Sequence, residues 1–273
     1  MSGYRISEEE VSEFERLGFT YLKNYVPMET LNEIRESISR WVKNYGSGLE
    51  LGDFVASSDP TEFDLGLVSL RQSSPGDAGR VYDAIKKMPP FMQWAADQRH
   101  VETARRLFRG GDVGIASRGW GMRIDYPNDQ KHATQLHQDF VSQLCGPKGI
   151  VIWAPLRDVT LEMGPVIIYP GSHLEGVFPI ENRGDSSQDI VINDESLVRG
   201  RFASKAPTVK AGDAVVMDFM LLHESGQNKS EIPRWSMLTR FFDAADSKSI
   251  QIGWRGGLQE GNVFSGDLFS RRS

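Results

Sequence analysis

The stretch GDAVVMDFMLLHESGQNKSEIPRWS (residues 212–236) joins an apolar segment, a histidine, a polar turn and the start of another apolar segment. Similar short segments, separated by Gly, Pro, Asn and Asp turns, are GMRIDYP (121–127), GIVIWAPL (149–156), GPVIIYPG (164–171) and RWSMLTRFF (234–242). Short strands at this spacing are typical of an all-β sandwich or barrel, and not of βαβ units. The sequence therefore predicts a mainly β core after residue 110.

The first 110 residues are predicted to be mostly helical. Ser7 and Glu10 have the spacing of a capping box, which predicts a short helix that ends near Gly18. The segment FTYLKNYV (19–26) is typical of a strand. Apolar residues at helical spacing predict a second helix from Met28, and the same patterning resumes between Val81 and Phe108.

Two long connections are predicted. Residues 46–80 are rich in Gly, Ser, Asp and Pro, so we expect a loop with little regular structure. Residues 176–209 form a polar connection that is too long for a hairpin turn. Their length and composition make both segments candidates for a lid. No linker interrupts the chain, so we expect one domain over residues 1–273, with a helical flank (1–110), a β core (111–245) and a C-terminal extension (246–273).

Composition and charge exclude several classes of partner. A net charge of −6 and a pI near 5.5 argue against nucleic acid, which requires a basic face. The acidic N-terminal residues have no apolar segment typical of a secretory signal, and no apolar run approaches the roughly 20 residues of a membrane helix. The single cysteine, Cys145, excludes an internal disulfide. We expect a cytoplasmic protein that acts on a small molecule; the sequence indicates no oligomeric state.

The segment TQLHQDF (134–140) contains two metal-binding residue types separated by one glutamine. In a strand, residues i and i+2 point to the same face, so His137 and Asp139 converge while Gln138 points away. A spacing this short also arises by chance, and a buried hydrogen-bonded pair is the alternative. A metal site needs a third ligand.

His223 is the best candidate for that ligand, because it follows an apolar strand and precedes a turn. Eleven residues later, Arg234 and Ser236 share one face of a strand, where a guanidinium and a hydroxyl can together hold a carboxylate. Two histidines and one carboxylate with open positions are the ligand set of mononuclear non-haem Fe(II) oxygenases. A chelating 2-oxo acid takes two open positions and O2 the third. The alternative for Arg234 is a surface ion pair with Glu231 or Asp243.

Four motifs occur along the chain in the same order as in a known family, and the combination is far more specific than any one of them. They are FERLGFTYLKNYVPMETLNEI (14–34), LHQDF (136–140), WAPLRDVTLEMGPVIIYPGSH (153–173) and residues 212–236. Together they resemble the phytanoyl-CoA dioxygenase family of Fe(II)- and 2-oxoglutarate-dependent oxygenases. The resemblance spans nearly the whole chain.

The resemblance implies a double-stranded β-helix core (a jelly roll, cupin-like) with flanking helices. It implies that His137, Asp139 and His223 hold Fe(II), and that Arg234 binds the far carboxylate of 2-oxoglutarate with help from Ser236. Trp153 occupies a place where the family often has a tryptophan that lines this pocket. Halogenating relatives replace the carboxylate with a small residue, so the aspartate favours hydroxylation.

Other residues near the motifs receive weaker predictions. Arg123 and Gln135 lie on or near strands that lead into the HxD segment, and we expect them to contact the cofactor; Trp120 lies there too, and structural roles fit these residues equally well. His173 is predicted to close its own turn by a hydrogen bond. His132 and His100 are predicted to be solvated, and Trp41, Phe91 and Trp94 to pack helices.

The sequence therefore predicts an enzyme that hydroxylates an unactivated C–H bond with release of succinate and CO2. No cluster of basic residues around a Gly-rich loop indicates CoA phosphates, so the expected substrate is a small polar metabolite or biosynthetic intermediate. Desaturation, epimerisation and ring formation use the same iron site and remain alternatives. A cupin-like metal enzyme without 2-oxoglutarate and a non-catalytic binding protein are further alternatives, against which Arg234 and the intact ligand set argue.

Overall fold

A computed structural model describes residues 4–48, 56–116, 119–129, 133–182 and 190–255. Its helices are α1 (Glu8–Leu17), α2 (Met28–Gly48), α3 (Leu65–Ser73), α4 (Pro75–Ile85), α5 (Pro89–Ala95), α6 (Gln98–Leu107), α7 (Asp139–Gln143), α8 (Glu195–Arg201) and α9 (Ser247–Ile252). Its strands are β1 (Phe19–Leu22), β2 (Val113–Ile115), β3 (Gly121–Asp125), β4 (Gly149–Pro155), β5 (Val166–Ile168), β6 (Ile180–Asn182), β7 (Ile190–Ile192), β8 (Ala214–Asp218), β9 (His223–Ser225) and β10 (Arg234–Asp243).

Six antiparallel strands form the main sheet, in the order β1-β8-β4-β10-β2, with β3 also paired to β10. Two smaller sheets pair β5 with β9 and β6 with β7. The five segments predicted as strands after residue 110 all contain one. β1 comes from the predicted helical flank and pairs with β8, so flank and core share one sheet.

Alternating side chains give the main sheet two different faces. Ile150 and Ile152 of β4 join the large apolar cluster that the helices α1 to α6 complete. Val151 and Trp153 point the other way, into a second cluster that contains Val166 and Ile168 of β5. The main sheet is therefore covered by helices on one face and by the β5–β9 pair on the other.

The predicted features at the N-terminus are present. Ser7 and Glu10 cap α1 reciprocally, with the Ser7 backbone N–H donating to Glu10 over 2.7 Å. Gly18 ends the helix in the left-handed conformation at φ 80°, which glycine adopts without strain. Phe91 and Trp94 are buried between helices, and Trp41 packs against the same cluster.

The prediction of an irregular loop over residues 46–80 is wrong for the residues that the structure describes. α3 and the start of α4 lie in this segment, and 49–55 fall outside the described residues. Leu67 and Leu70 are buried, so apolar contacts outweigh the many turn-forming residues nearby. The 176–209 connection likewise contains β6, β7 and α8, although 183–189 are not described.

His100 is buried, not solvated as predicted. Its Nδ1 lies 2.9 Å from the hydroxyl of Tyr25, and its ring packs edge-on against Trp94. Helix α6 directs His100 towards Phe241 of the main sheet, and the sequence pattern did not show which side of the helix is covered. Burial lowers the pKa of His100 from 6.5 to about 4.

Cys145 is buried, and burial raises its pKa to about 12. Its thiol is therefore protonated at neutral pH and is a poor nucleophile. Among the described residues, no helix is both long enough and apolar enough to cross a membrane.

The depressed pKa of His100 predicts a loss of stability in mild acid. The unfolded chain binds a proton at this site below pH 6.5, whereas the folded protein does so only near pH 4. The stabilisation is complete above pH 6.5 and falls by about 3 kcal/mol as the pH decreases to 4. Urea unfolding of wild type and His100→Gln at several pH values measures it. The variant should show a smaller slope in this range, and equal slopes would contradict the prediction.

Candidate metal centre

The HxD segment adopts an extended conformation up to Gln138 and then begins a helix. The backbones of His137 and His223 exchange two hydrogen bonds, with N to O distances of 3.0 and 3.1 Å. Gln138 is extended and points away from the histidines, as predicted, and its amide contacts the backbone of Gly176, Met220 and Phe178. Asp139 is the first residue of α7, yet its side chain converges with His137.

His137, Asp139 and His223 meet in space. Each offers one ligand atom, and these atoms lie within 4.8 Å of one another. His137 Nδ1 lies 2.8 Å from the carbonyl of Gln135, and His223 Nδ1 lies 2.9 Å from the carbonyl of Leu221. With Nδ1 held as a donor, each ring presents an unprotonated Nε2, the form that binds metals.

The charges in this cluster favour a bound cation. Burial of the ring and, to a lesser degree, the neighbouring His223 lower the pKa of His137 from 6.5 to about 3, so the imidazole is neutral at physiological pH. Burial alone would raise the pKa of Asp139, but Arg240 and the two histidines outweigh it and hold this pKa below its usual value. Asp139 Oδ2 is buried, lies 3.6 Å from His223 Nε2, and has no hydrogen-bond partner among the described residues.

Arg234 and Ser236 lie on the face of β10 that points towards the β5–β9 pair, here called the inner face of the main sheet. Arg234 is buried and forms an ion pair with Asp125, with 2.7 Å between Nη2 and Oδ2. The expected alternative, a surface pair with Glu231 or Asp243, is therefore wrong. Arg234 Nη1 and Ser236 Oγ are both buried and lack a hydrogen-bond partner in the described part of the chain. A buried unpaired donor is costly, so these two atoms fit a carboxylate that completes the site.

Arg123 and Gln135 lie close to this pair. Arg123 binds Asp125 over 2.7 Å and also donates to Thr134, and so helps to hold the counter-ion of Arg234. Gln135 lines a cleft of about 230 Å³ together with Asp125 and other polar residues. Trp153 is buried on the inner face of β4, opposite Leu238. Contact of Arg123, Gln135 and Trp153 with a cofactor stays a prediction.

The remaining candidates lie elsewhere. Trp120 is exposed. His173 Nε2 lies 3.1 Å from the carbonyl of Glu15 in α1, so its role is structural, but it joins two elements and does not close its own turn. His132 lies outside the described residues.

The segment after residue 176 packs beside the metal cluster. Phe178 and Val198 share a buried cluster with Leu136 and Leu222, the residues that immediately precede the two histidines. Arg199 of α8 forms hydrogen bonds to both carboxylate oxygens of Glu224, at 2.7 and 2.9 Å. This contact was not predicted. The lid role of the segment stays a prediction.

Comparison with known proteins decides the family. The family model described as phytanoyl-CoA dioxygenase (PhyH) matches residues 14–236, most of the chain. The chain belongs to this family. The predicted family, fold class and enzyme class are therefore confirmed. The protein is a 2-oxoglutarate-dependent non-haem iron dioxygenase, and its His-Asp-His cluster fits the iron.

Individual relatives of the PhyH chain are distant. An ectoine dioxygenase from Nocardia farcinica (strain IFM 10152) is 22% identical over 252 residues, which cover 86% of this chain and 78% of the relative. EctD from S. alaskensis with 2-oxoglutarate and 5-hydroxyectoine has a TM-score of 0.60 at 18% identity, covering 99% of this chain and 86% of EctD. The epimerase SnoN from nogalamycin biosynthesis, solved with Fe³⁺, alpha ketoglutarate and nogalamycin RO, has a TM-score of 0.57 at 19% identity and 96% coverage of both chains.

Sequence reasoning did not identify Asp125 and Arg240 as members of the site. Asp125 pairs with Arg234, and Arg240 Nε donates to Asp139 over 2.9 Å. Their positions on β3 and β10 carried a partial signal: Arg240 has the same strand parity as Arg234 and Ser236, and therefore points to the same face.

The cluster predicts one divalent-ion site per chain. Isothermal titration of the metal-free protein with Co²⁺ should give one ion per chain. His137→Ala and His223→Ala should each lose this binding, because two remaining ligands do not enclose an ion. His173→Ala is the matched control, since its ring contacts a helix carbonyl, and it should bind as wild type does. Binding that survives both ligand substitutions would contradict the assignment.

Proposed function

We propose that the protein hydroxylates a small polar molecule at a centre where His137, Asp139 and His223 hold Fe(II), and Arg234 and Ser236 hold 2-oxoglutarate. The observation that carries the proposal is the set of unpaired buried atoms in and beside one cluster. Asp139 Oδ2 belongs to the metal cluster, and Arg234 Nη1 and Ser236 Oγ fit a carboxylate. Bound iron would pair with Asp139 Oδ2, and bound 2-oxoglutarate would accept hydrogen bonds from Arg234 Nη1 and Ser236 Oγ.

In this proposal the residues of the chain bind the metal and 2-oxoglutarate, orient the co-substrate and exclude water. His137, Asp139 and His223 would hold the metal through three protein atoms, a ligand set that leaves positions for the co-substrate and O2. Arg234, fixed by Asp125, would donate from Nη1 to the far carboxylate of the 2-oxo acid, and the Ser236 hydroxyl would donate to the same group. Bound iron, 2-oxoglutarate and O2 supply the oxidising power, with succinate and CO2 as co-products. The apolar cluster around Trp153 would help to exclude water from this face of the sheet.

The cleft beside Gln135 supports a small polar substrate. Its lining includes the polar side chains of Asp125, Asp129, Gln227 and Asn228. Gln135 lies two residues before His137, and Ser225, which also lines the cleft, lies two residues after His223. Carboxylates and amides suit a hydrogen-bonding metabolite better than a CoA phosphate chain. The similarity to an ectoine dioxygenase makes ectoine a sensible first compound to test.

Succinate release tests the proposal. The protein is incubated with Fe(II), 2-oxoglutarate, O2 and a panel of polar metabolites that includes ectoine, and succinate is measured. A true substrate should raise succinate formation in wild type but not in His137→Ala, which lacks a metal ligand. A signal unchanged in that variant would contradict the proposal.

Product mass then separates the candidate reactions. Hydroxylation adds one oxygen atom to the substrate, whereas desaturation or ring formation removes two hydrogens and epimerisation leaves the mass unchanged. Epimerisation is the second candidate, since the epimerase SnoN shares the fold over almost the whole chain. Retention of Asp139 argues against halogenation.

Arg234→Lys should weaken 2-oxoglutarate binding selectively. Lysine keeps the charge but loses the forked geometry that engages Asp125 and a carboxylate together. Charge-assisted hydrogen bonds contribute about 1.5–3 kcal/mol, so the KM for 2-oxoglutarate should rise roughly 10- to 100-fold. Ser236→Ala should have a smaller effect in the same direction. Co²⁺ titration is the internal control and should stay unchanged, whereas an unchanged KM would contradict the role of Arg234.

A further inference from the structure

Each candidate ligand has one polar atom held by the protein and one available to the metal. For His137 and His223, a backbone carbonyl holds Nδ1. For Asp139, a side chain does so: Arg240 Nε donates to Oδ1 over 2.9 Å, while Oδ2 remains unpaired among the described residues. The carboxylate is therefore held through one oxygen.

Arg240 is well placed to fix this orientation. It lies on β10 with the same strand parity as Arg234 and Ser236, in register with Val151 of β4. Its side chain is 16% exposed and that of Asp139 only 1%, so water screens the pair weakly. Its Nη1 also lies 3.4 Å from the carbonyl of Gly119, which gives the guanidinium a second contact.

We propose that Arg240 is a positioning residue that keeps Asp139 a one-oxygen ligand of the metal. An octahedral ion offers six positions. Three protein atoms and a chelating 2-oxo acid would occupy five, which would leave the sixth for O2. A carboxylate that bound through both oxygens would fill that last position or displace the 2-oxo acid. By occupying Oδ1, Arg240 prevents this. The inference rests on the proposed function, and it goes further by assigning a residue outside the ligand set.

The role predicts a change in metal geometry that a purely structural role would not produce. In Arg240→Gln, Oδ1 becomes free to bind, so the visible absorption spectrum of the Co²⁺-loaded protein should change, because it reports coordination number. The affinity of the Co²⁺ form for 2-oxoglutarate, measured by titration without O2, should fall about tenfold. Co²⁺ should still bind, because all three ligands remain. Arg240→Lys, which keeps a cationic donor, should restore part of both properties.

Arg99→Gln is the matched control. Arg99 is 17% exposed and binds a carboxylate and a backbone carbonyl, but it lies on α6, away from the cluster. It should leave the spectrum and the 2-oxoglutarate affinity unchanged. Change in this control equal to that in Arg240→Gln would overturn the inference.

Two further outcomes are decisive. A wild-type spectrum and 2-oxoglutarate affinity in Arg240→Gln would overturn the inference even if thermal stability falls, because Arg240 would then only support the fold. Arg240→Met, which keeps an apolar stem, is judged by the same criteria if the glutamine variant does not fold. If wild type itself failed to bind Co²⁺, both the proposed metal site and this inference would be wrong. If wild type binds Co²⁺ and the Arg240 variants have the wild-type spectrum and 2-oxoglutarate affinity, only this inference is wrong.

Discussion

The reciprocal backbone hydrogen bonds between His137 and His223 are the contact on which the site depends. They join the HxD segment to β9, although the two histidines are 86 positions apart along the chain. The two rings consequently lie side by side, with centroids 4.2 Å apart. Since β9 also pairs with β5, whose residues pack on the inner face of the main sheet, the cluster is anchored to the core. The bridge to β9 thus holds the two histidines in place, while Asp139 is held at the start of α7.

Compensation of buried charge shapes the rest of the inner face. Asp125 and Asp139 are both buried, and an unpaired carboxylate in such a place costs several kcal/mol. Arg123 and Arg234 neutralise the first, and Arg240 the second. These pairs do more than offset the cost. Each leaves a defined atom unpaired, Arg234 Nη1 in one case and Asp139 Oδ2 in the other, and these atoms give the site its directional chemistry.

Strand positions and ligand types were predictable because they depend on local pattern. The apolar run of β4 and the capping box of α1 are each encoded within a few residues. α3 was missed because burial of Leu67 and Leu70 against distant residues outweighs the local excess of turn formers. His100 was misjudged for the same reason: a polar residue in a helix shows its burial only when the opposing surface is known.

The sequence by itself determined the family, the strand-rich core and the three residue types that suit iron, since the order of the motifs and the chemistry of each side chain are properties of the chain alone. Only the tertiary structure decided that Arg234 faces Asp125 and that Arg240 faces Asp139. Both contacts join residues more than 100 positions apart. The first pair follows from the register of β10 against β3, and the second from the position of the start of α7 beside β10. Both depend on how the whole sheet packs, which no local pattern records.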